Sequence, residues 1–215
     1  MGKVCGLCLS DFKPLREIST CMSCGVPLGI NNAEEKVKCG PCINNCFNFN
    51  SARSAFLYNG NLKKLLQLFK YENIYHLCSF FAEYLSGEIE NLISEETTLI
   101  PVPLHINKLR LRGYNQSALI CREISRYTGC NCDLFTLKKR LDTRPQVEIK
   151  DFTKRAKNVR NAYYTECRNS ILGKKILLID DVFTSGSTVN ECSKVLMDSG
   201  AGSVSVVTVA RSVQH

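Results

Sequence analysis

Residues 176–188 read Ile-Leu-Leu-Ile-Asp-Asp-Val-Phe-Thr-Ser-Gly-Ser-Thr, and this run constrains the fold more than any other stretch of the chain. Four consecutive long or branched apolar residues suit a parallel strand covered on both faces, which places Ile176 to Ile179 in the middle of a sheet. Asp180 and Asp181 then fall where the strand is expected to end, and ligands of open α/β sheets collect in the crevice beyond the carboxyl ends of strands. Their oxygens can accept hydrogen bonds from vicinal hydroxyls. Gly186 lets the backbone approach an anion, while Thr184, Ser185, Ser187 and Thr188 offer hydroxyls beside amides still unpaired at a helix start. That combination suits a sugar 5'-phosphate. Apolar positions Val189, Cys192, Val195 and Leu196 continue at helical spacing over 188–199, Gly200 terminates the helix, and a second strand is expected over 204–209. The plainer reading is a strand-turn-helix whose aspartates are merely solvated. Competing phosphate motifs are excluded directly: the chain has no Gly-x-x-x-x-Gly-Lys-Ser/Thr loop and no Gly-x-Gly-x-x-Gly fingerprint.

A second signal lies near the N-terminus. Cys5-x-x-Cys8, Cys21-x-x-Cys24 and Cys39-x-x-Cys42 form three spaced pairs, with Gly25 after the second. Each pair can place two thiolates on one tetrahedral ion, so two pairs make a closed four-cysteine zinc site. Cys21, Cys24, Cys39 and Cys42 are the favoured set, because Cys-x-x-Cys-Gly resembles a zinc-knuckle turn and the separation to Cys39 suits a small ribbon. Cys5 and Cys8 stay open as metal ligands: they either displace the third pair or share a second ion with Cys46 and one further group. A disulfide framework is the rival reading, but the N-terminus Met-Gly-Lys-Val-Cys has no apolar signal region. The other cysteines are scattered and read as small buried hydrophobes.

The clustering of cysteines divides 215 residues into a metal-stapled module, 1–46, and a core-forming α/β domain, 47–215. No apolar stretch is long enough to cross a bilayer, so no membrane insertion and a cytoplasmic location are expected. Residues 47–51 read as a linker or first sheet edge. Helices are expected over 61–69, 76–93 and 115–127, and strands over 98–102 and 134–137. The element order indicates a parallel sheet flanked by helices. Pro101 and Pro103 stiffen a strand exit, after which Lys108, Arg110 and Arg112 place cations suited to a pyrophosphate, or else form a solvated basic helix lead-in. The stretch 138–160 is rich in Lys and Arg and, with a net charge of +8, could track a nucleic-acid backbone such as single-stranded DNA, or be simply a basic surface.

The run of apolar residues, two acidic residues and Thr-x-Gly-x-Thr resembles the phosphoribosyl pyrophosphate (PRPP) signature of type I phosphoribosyltransferases. Its order after a cysteine module is similar to the ComF family. Tyr58-Asn59-Gly60-Asn61-Leu62 to Phe69-Lys70-Tyr71, Val102-Pro103-Leu104 with Arg112-Gly113-Tyr114-Asn115-Gln116, and Gln146 with Arg155-x-x-Asn158-Val159-Arg160-Asn161-Ala162-Tyr163 also resemble blocks of that family. One departure is that longer members carry four Cys pairs where this chain has three. The resemblance implies a phosphoribosyltransferase-like α/β domain behind a structural Zn²⁺ module. It implies that Asp180 and Asp181 hold the ribose 2'- and 3'-hydroxyls, that residues 184–188 hold the 5'-phosphate, and that PRPP arrives with Mg²⁺. Arg112, Gly113 and Tyr114 become the pyrophosphate-side candidates, and Arg140, Arg144 and Gln146 candidates on a closing loop. It further implies a role in DNA uptake or processing during natural transformation, with a DNA-uptake protein as possible partner. Two rivals stand beside it: a nucleotide-salvage or amidophosphoribosyltransferase-type glycosyltransferase, and a non-catalytic PRPP-sensing adaptor. The acceptor, and whether transfer occurs, are left open at this stage.

Overall fold

A computed structural model describes residues 4–29, 37–44, 47–143 and 158–213. Along the chain run α1 (Gly6–Leu9), α2 (Gly40–Asn44), β1 (Ser51–Leu57), α3 (Gly60–Tyr71), α4 (Leu77–Ile89), β2 (Thr97–Pro101), α5 (Ile106–Arg112), α6 (Gln116–Thr128), β3 (Asn131–Cys132), β4 (Leu137–Lys139), β5 (Tyr163–Thr165), β6 (Lys175–Phe183), α7 (Ser187–Asp198) and β7 (Ser203–Arg211). Five strands form one sheet in the order β1-β7-β6-β2-β3. All its pairings are parallel. The fold class read from the sequence is therefore the one observed: a parallel α/β sheet flanked by helices, with a cysteine cluster from the N-terminal segment beside it.

The four apolar residues of β6 show why this sheet needs two covers. Leu177 and Ile179 point into one core with Leu62, Leu66 and Phe69 of α3, Phe81, Leu85 and Ile89 of α4, and Ile120 and Ile124 of α6. Ile176 and Leu178 point into a second core with Val189 and Leu196 of α7, Val204 and Val206 of β7, and Cys21, Cys24 and Cys42. Period-two alternation on a strand buried on both faces produces this split. The cysteine-bearing segment is thus part of the second core and not an appendage.

That segment also covers the sheet edge. Leu57 N–H donates to Lys13 O at 2.9 Å, Leu15 N–H to Ala55 O at 2.9 Å and Ala52 N–H to Ser23 O at 2.7 Å, so three backbone groups of β1 are paired with the N-terminal segment. A covered edge strand does not recruit other strands. Residues 47–51, expected as a linker or first edge, lead into this strand, which extends to Leu57. Asp11 accepts from Asn61 N–H at 2.7 Å and so caps the start of α3 from the N-terminal segment.

Three details differ from the sequence reading. The short strand expected over 134–137 is replaced by β3 and β4, because Asp133 turns the chain between them by accepting from Phe135 N–H at 3.0 Å and Thr136 N–H at 2.9 Å. Strand β6 does not end at the aspartates but stays paired with β7 as far as Phe183 and Arg211. The basic run after Pro103 forms a helix of its own, α5, started by His105 and closed by Gly113 in the left-handed region at φ 81°.

Candidate functional site

The carboxyl ends of β2 and β6 open into a cleft of about 590 Å³ lined by Asp180, Asp181, Thr184, Gly186, Thr188, Lys70, Lys108, Lys139 and Arg112, with Tyr58, Tyr71, Leu104 and Leu111 as apolar walls. Its size suits a phosphorylated sugar. Strand pairing fixes Asp180 beside Thr208, and two donors converge on its Oδ1: Ser117 Oγ at 3.0 Å and the Asp181 N–H at 2.9 Å. Burial pushes the Asp180 carboxyl up to about 7, with the Asp181 charge adding to the shift and the hydrogen bonds and Lys70 opposing it. Asp181 instead carries its own counter-ion. Lys70 Nζ, on the last turn of α3, lies 2.9 Å from Oδ1 and 2.9 Å from Oδ2. Burial alone would lower the Lys70 ammonium, but the Asp181 carboxylate outweighs it and raises the group above its usual value.

The loop after β6 is built around Gly186. Its φ is 79°, and a Cβ there would sit 2.6 Å from Phe183 Cζ, so both conformation and space call for glycine. Ser185 and Ser187 are buried and their hydroxyls lie 2.8 Å apart, while Asn190 N–H closes the first turn of α7 on Gly186 O at 2.8 Å. Gly186, at the N-cap, brings no side chain to the start of α7, Ser187 N–H donates to Ser185 Oγ at 3.3 Å, and Thr184 and Thr188 line the cleft beside this helix start.

Of the pyrophosphate-side candidates, Arg112 lines the cleft, donating to Gln116 Oε1 at 2.7 Å and lying 5.0 Å over the Tyr71 ring. Gly113 ends α5 outside the lining. Tyr114 turns into the core, where it packs on Tyr75 and Phe69 with ring centroids 4.6 and 6.1 Å away and bonds the Phe69 carbonyl through its hydroxyl. Asn115 caps α6 by accepting from Ser117 N–H at 3.0 Å, which in turn holds Ser117 under Asp180. Lys108 donates to Thr143 O at 2.5 Å, Arg110 is exposed, and Arg140 donates to Asn161 O at 2.8 Å from an exposed position. Arg144 and Gln146 lie outside the described residues.

Two cations of the cleft were not singled out from the sequence. Lys70 sits in a block quoted for its family pattern, and only the packing of α3 on the sheet reveals that it reaches Asp181. Lys139 sits in the basic stretch, over the Tyr163 ring at 5.3 Å. Burial, and then the nearby Lys108 charge, holds its ammonium below the usual range.

Within the second core and beside β1, the sulfurs of Cys21, Cys24, Cys39 and Cys42 lie within 4.8 Å of one another. Cys39 N–H donates to Cys21 Sγ at 3.3 Å. Burial would raise the Cys21 thiol, but this bond and those from the Cys24 and Ser23 amides outweigh it and lower the group to about 6. Gly25, at φ 70°, would place a Cβ 2.6 Å from Ala52 O, so the knuckle fits closely against β1. Four convergent sulfurs with amide donors are the donor set that a tetrahedral soft ion takes. Cys5, at the N-cap of α1, and Cys8, within it, are not in this group, and Cys46 lies outside the described residues.

No helix among the described residues is long and apolar enough to cross a membrane. No family model matches the chain. A solved hypoxanthine phosphoribosyltransferase of Staphylococcus aureus is similar at a TM-score of 0.40 and 11% identity, covering 65% of this chain and 75% of that one. The sequence is 27% identical over 217 residues to the DNA utilization protein YhgH of Salmonella typhi, covering 98% of this chain and 91% of that protein. It is 28% identical over 216 residues to Competence protein F of Haemophilus influenzae, covering 96% and 91%. The ComF-family resemblance carried by separate motifs is therefore matched along nearly the whole chain, which is similar from its cysteine segment to β7 to a competence protein and to a DNA utilization protein.

Proposed function

We propose that this chain is a ComF-like, phosphoribosyltransferase-type protein that binds PRPP with Mg²⁺ in the cleft at the end of β6 and serves uptake or processing of incoming single-stranded DNA in natural transformation. One observation carries the reading: an acidic pair and a glycine-built loop at a helix start open into the same cleft, which Arg112 also lines. A cytoplasmic location fits this chemistry, since PRPP and incoming strands meet there.

Asp180 and Asp181 accept the ribose hydroxyls, the loop amides and the hydroxyls of Thr184 and Thr188 take the 5'-phosphate, and Arg112 faces the pyrophosphate. When bound with PRPP, Mg²⁺ supplies charge neutralisation at the leaving pyrophosphate. The contribution of the protein is then positioning, and stabilisation of charge that develops as the glycosidic bond lengthens. Lys70 keeps Asp181 paired until a sugar displaces it. Cys21, Cys24, Cys39 and Cys42 hold a structural Zn²⁺ that fixes the described part of the cysteine module, 1–46, against β1 of the phosphoribosyltransferase-like domain, 47–215. A track for the DNA backbone is proposed along the basic stretch 138–160, of which residues 144–157 lie outside the described ones, and the names of the relatives favour it.

Thermal shift tests the ligand class. Mg²⁺–PRPP is expected to raise the melting temperature, with ATP and dinucleotides giving no shift; stabilisation by ATP alone would contradict the reading. Release of pyrophosphate on adding single-stranded DNA or candidate bases and amines then identifies the acceptor. Binding without release across that panel would favour the adaptor.

A further inference from the structure

We propose that Arg211 couples the four-cysteine centre to the phosphate loop, so that metal loading and phosphate binding favour one another. The proposal rests on the reading just given of both sites. Arg211 is the last residue of β7, and only 7% of it is exposed. It donates through Nη1 to Cys24 O at 2.5 Å and through Nη2 to Cys24 Sγ at 3.5 Å. Its Nε is buried with no hydrogen-bond partner among the described residues. A buried cation needs a compensating charge, and a divalent ion ringed by four thiolates is net negative. Among the contacts of Arg211, that centre supplies it.

The same guanidinium lies 3.9 Å over the ring of Phe183, its cross-strand partner at the end of β6. Phe183 is the floor of the anion loop, since the space a Cβ of Gly186 would need is filled by its ring. A second tie runs in parallel. Phe47 and Phe49, shortly after the last cysteine pair, stack on each other and set their edges to Phe183 at 6.4 and 6.1 Å. Between them, Asn48 donates twice to Asn190 Oδ1 on the first turn of α7, at 2.7 and 3.1 Å. Packed interiors transmit such displacements, because they are close to incompressible. An ordered tetrahedral centre fixes Cys24, Cys24 fixes Arg211, and Arg211 fixes the ring beneath Gly186. Outer partners of metal ligands commonly tune affinity in this way, but here the partner is also the support of a second site.

Linkage provides the test. The zinc affinity of the full chain is measured by chelator competition with and without saturating Mg²⁺–PRPP. In the wild type PRPP is expected to tighten zinc binding about 5-fold or more. In Arg211→Met this factor falls to one while zinc and PRPP each still bind, and Arg211→Lys keeps part of it. Phe183→Leu leaves the Cys24 contacts in place but loosens the floor of the loop, and it also loses the factor; it decides the matter should Arg211→Met not fold. A factor of one in a wild type that binds both ligands overturns the coupling alone. Retention of the wild-type factor in both variants does the same. A wild type that binds zinc but not PRPP overturns the coupling together with the phosphoribosyl reading.

Discussion

Asp180 is held between two opposing influences. The proposed sugar site calls for a carboxylate to accept hydroxyls, while burial and Asp181 favour the protonated form and move its titration to about 7. Between its ordinary value of about 3.9 and that point the folded chain binds a proton that the unfolded chain does not, so stability falls as pH rises through this window and the loss is complete above it. Asp180→Asn keeps an oxygen for Ser117 and the Asp181 amide and removes the charge. We expect it to stabilise the chain by about 1–3 kcal/mol at pH 8 and by little at pH 5, a difference read from denaturant melts at the two values. An equal effect at both would mean that Asp180 is ionised throughout. Lys70 stands in the opposite relation to stability. Lys70→Met leaves the Asp181 carboxylate without its partner and is expected to cost about 1–3 kcal/mol, less than a fully buried pair because both side chains keep some exposure.

Among the elements, the turn from β6 into α7 carries most of the proposed phosphate site in the fewest residues. Gly186→Ala would force a Cβ against Phe183 at a left-handed φ. It is expected to cost about 1–3 kcal/mol and to weaken PRPP binding at least tenfold, measured by melting and titration of the same preparation. A variant with wild-type affinity would remove the loop from the site. This element was legible in the sequence because every requirement is local: four apolar residues, two acids, a glycine and hydroxyls in contiguous positions. Helices α3, α4, α6 and α7 were legible for the same reason, through spacing alone. What was not legible depends on contacts far apart in sequence. β1 reads Ser-Ala-Arg-Ser-Ala-Phe-Leu, without strand alternation, and becomes a strand because β7 pairs on one side and residues 13–23 cover the other. Tyr114 lies two positions from the cleft residues Arg112 and Gln116 but packs instead on Phe69 of α3 and on Tyr75. Lys70 reaches Asp181 across 111 positions, which no local pattern encodes.

At the scale of the molecule, the cysteine segment acts as a structural cover. Three of its four clustered cysteines are part of the second core, and its backbone completes the edge of β1. If the proposed zinc occupies this group, chelation is expected to destabilise the sheet as well as the segment, because metal-binding free energy is folding free energy in such sites. Cys39→Ser should lower the melting temperature and abolish stoichiometric zinc, whereas Cys5→Ser and Cys8→Ser, outside the four-sulfur group, should change neither. Loss of zinc in the Cys5 or Cys8 variants would move the ligand set towards the N-terminus. The central claim is that the acidic pair and the loop together hold PRPP. It is tested most directly by calorimetric titration of the full chain with PRPP and Mg²⁺ beside the double variant Asp180→Asn, Asp181→Asn. Binding by the wild type and none by a folded double variant is the expected result. Equal binding by both, or none by the zinc-loaded wild type, would contradict the account.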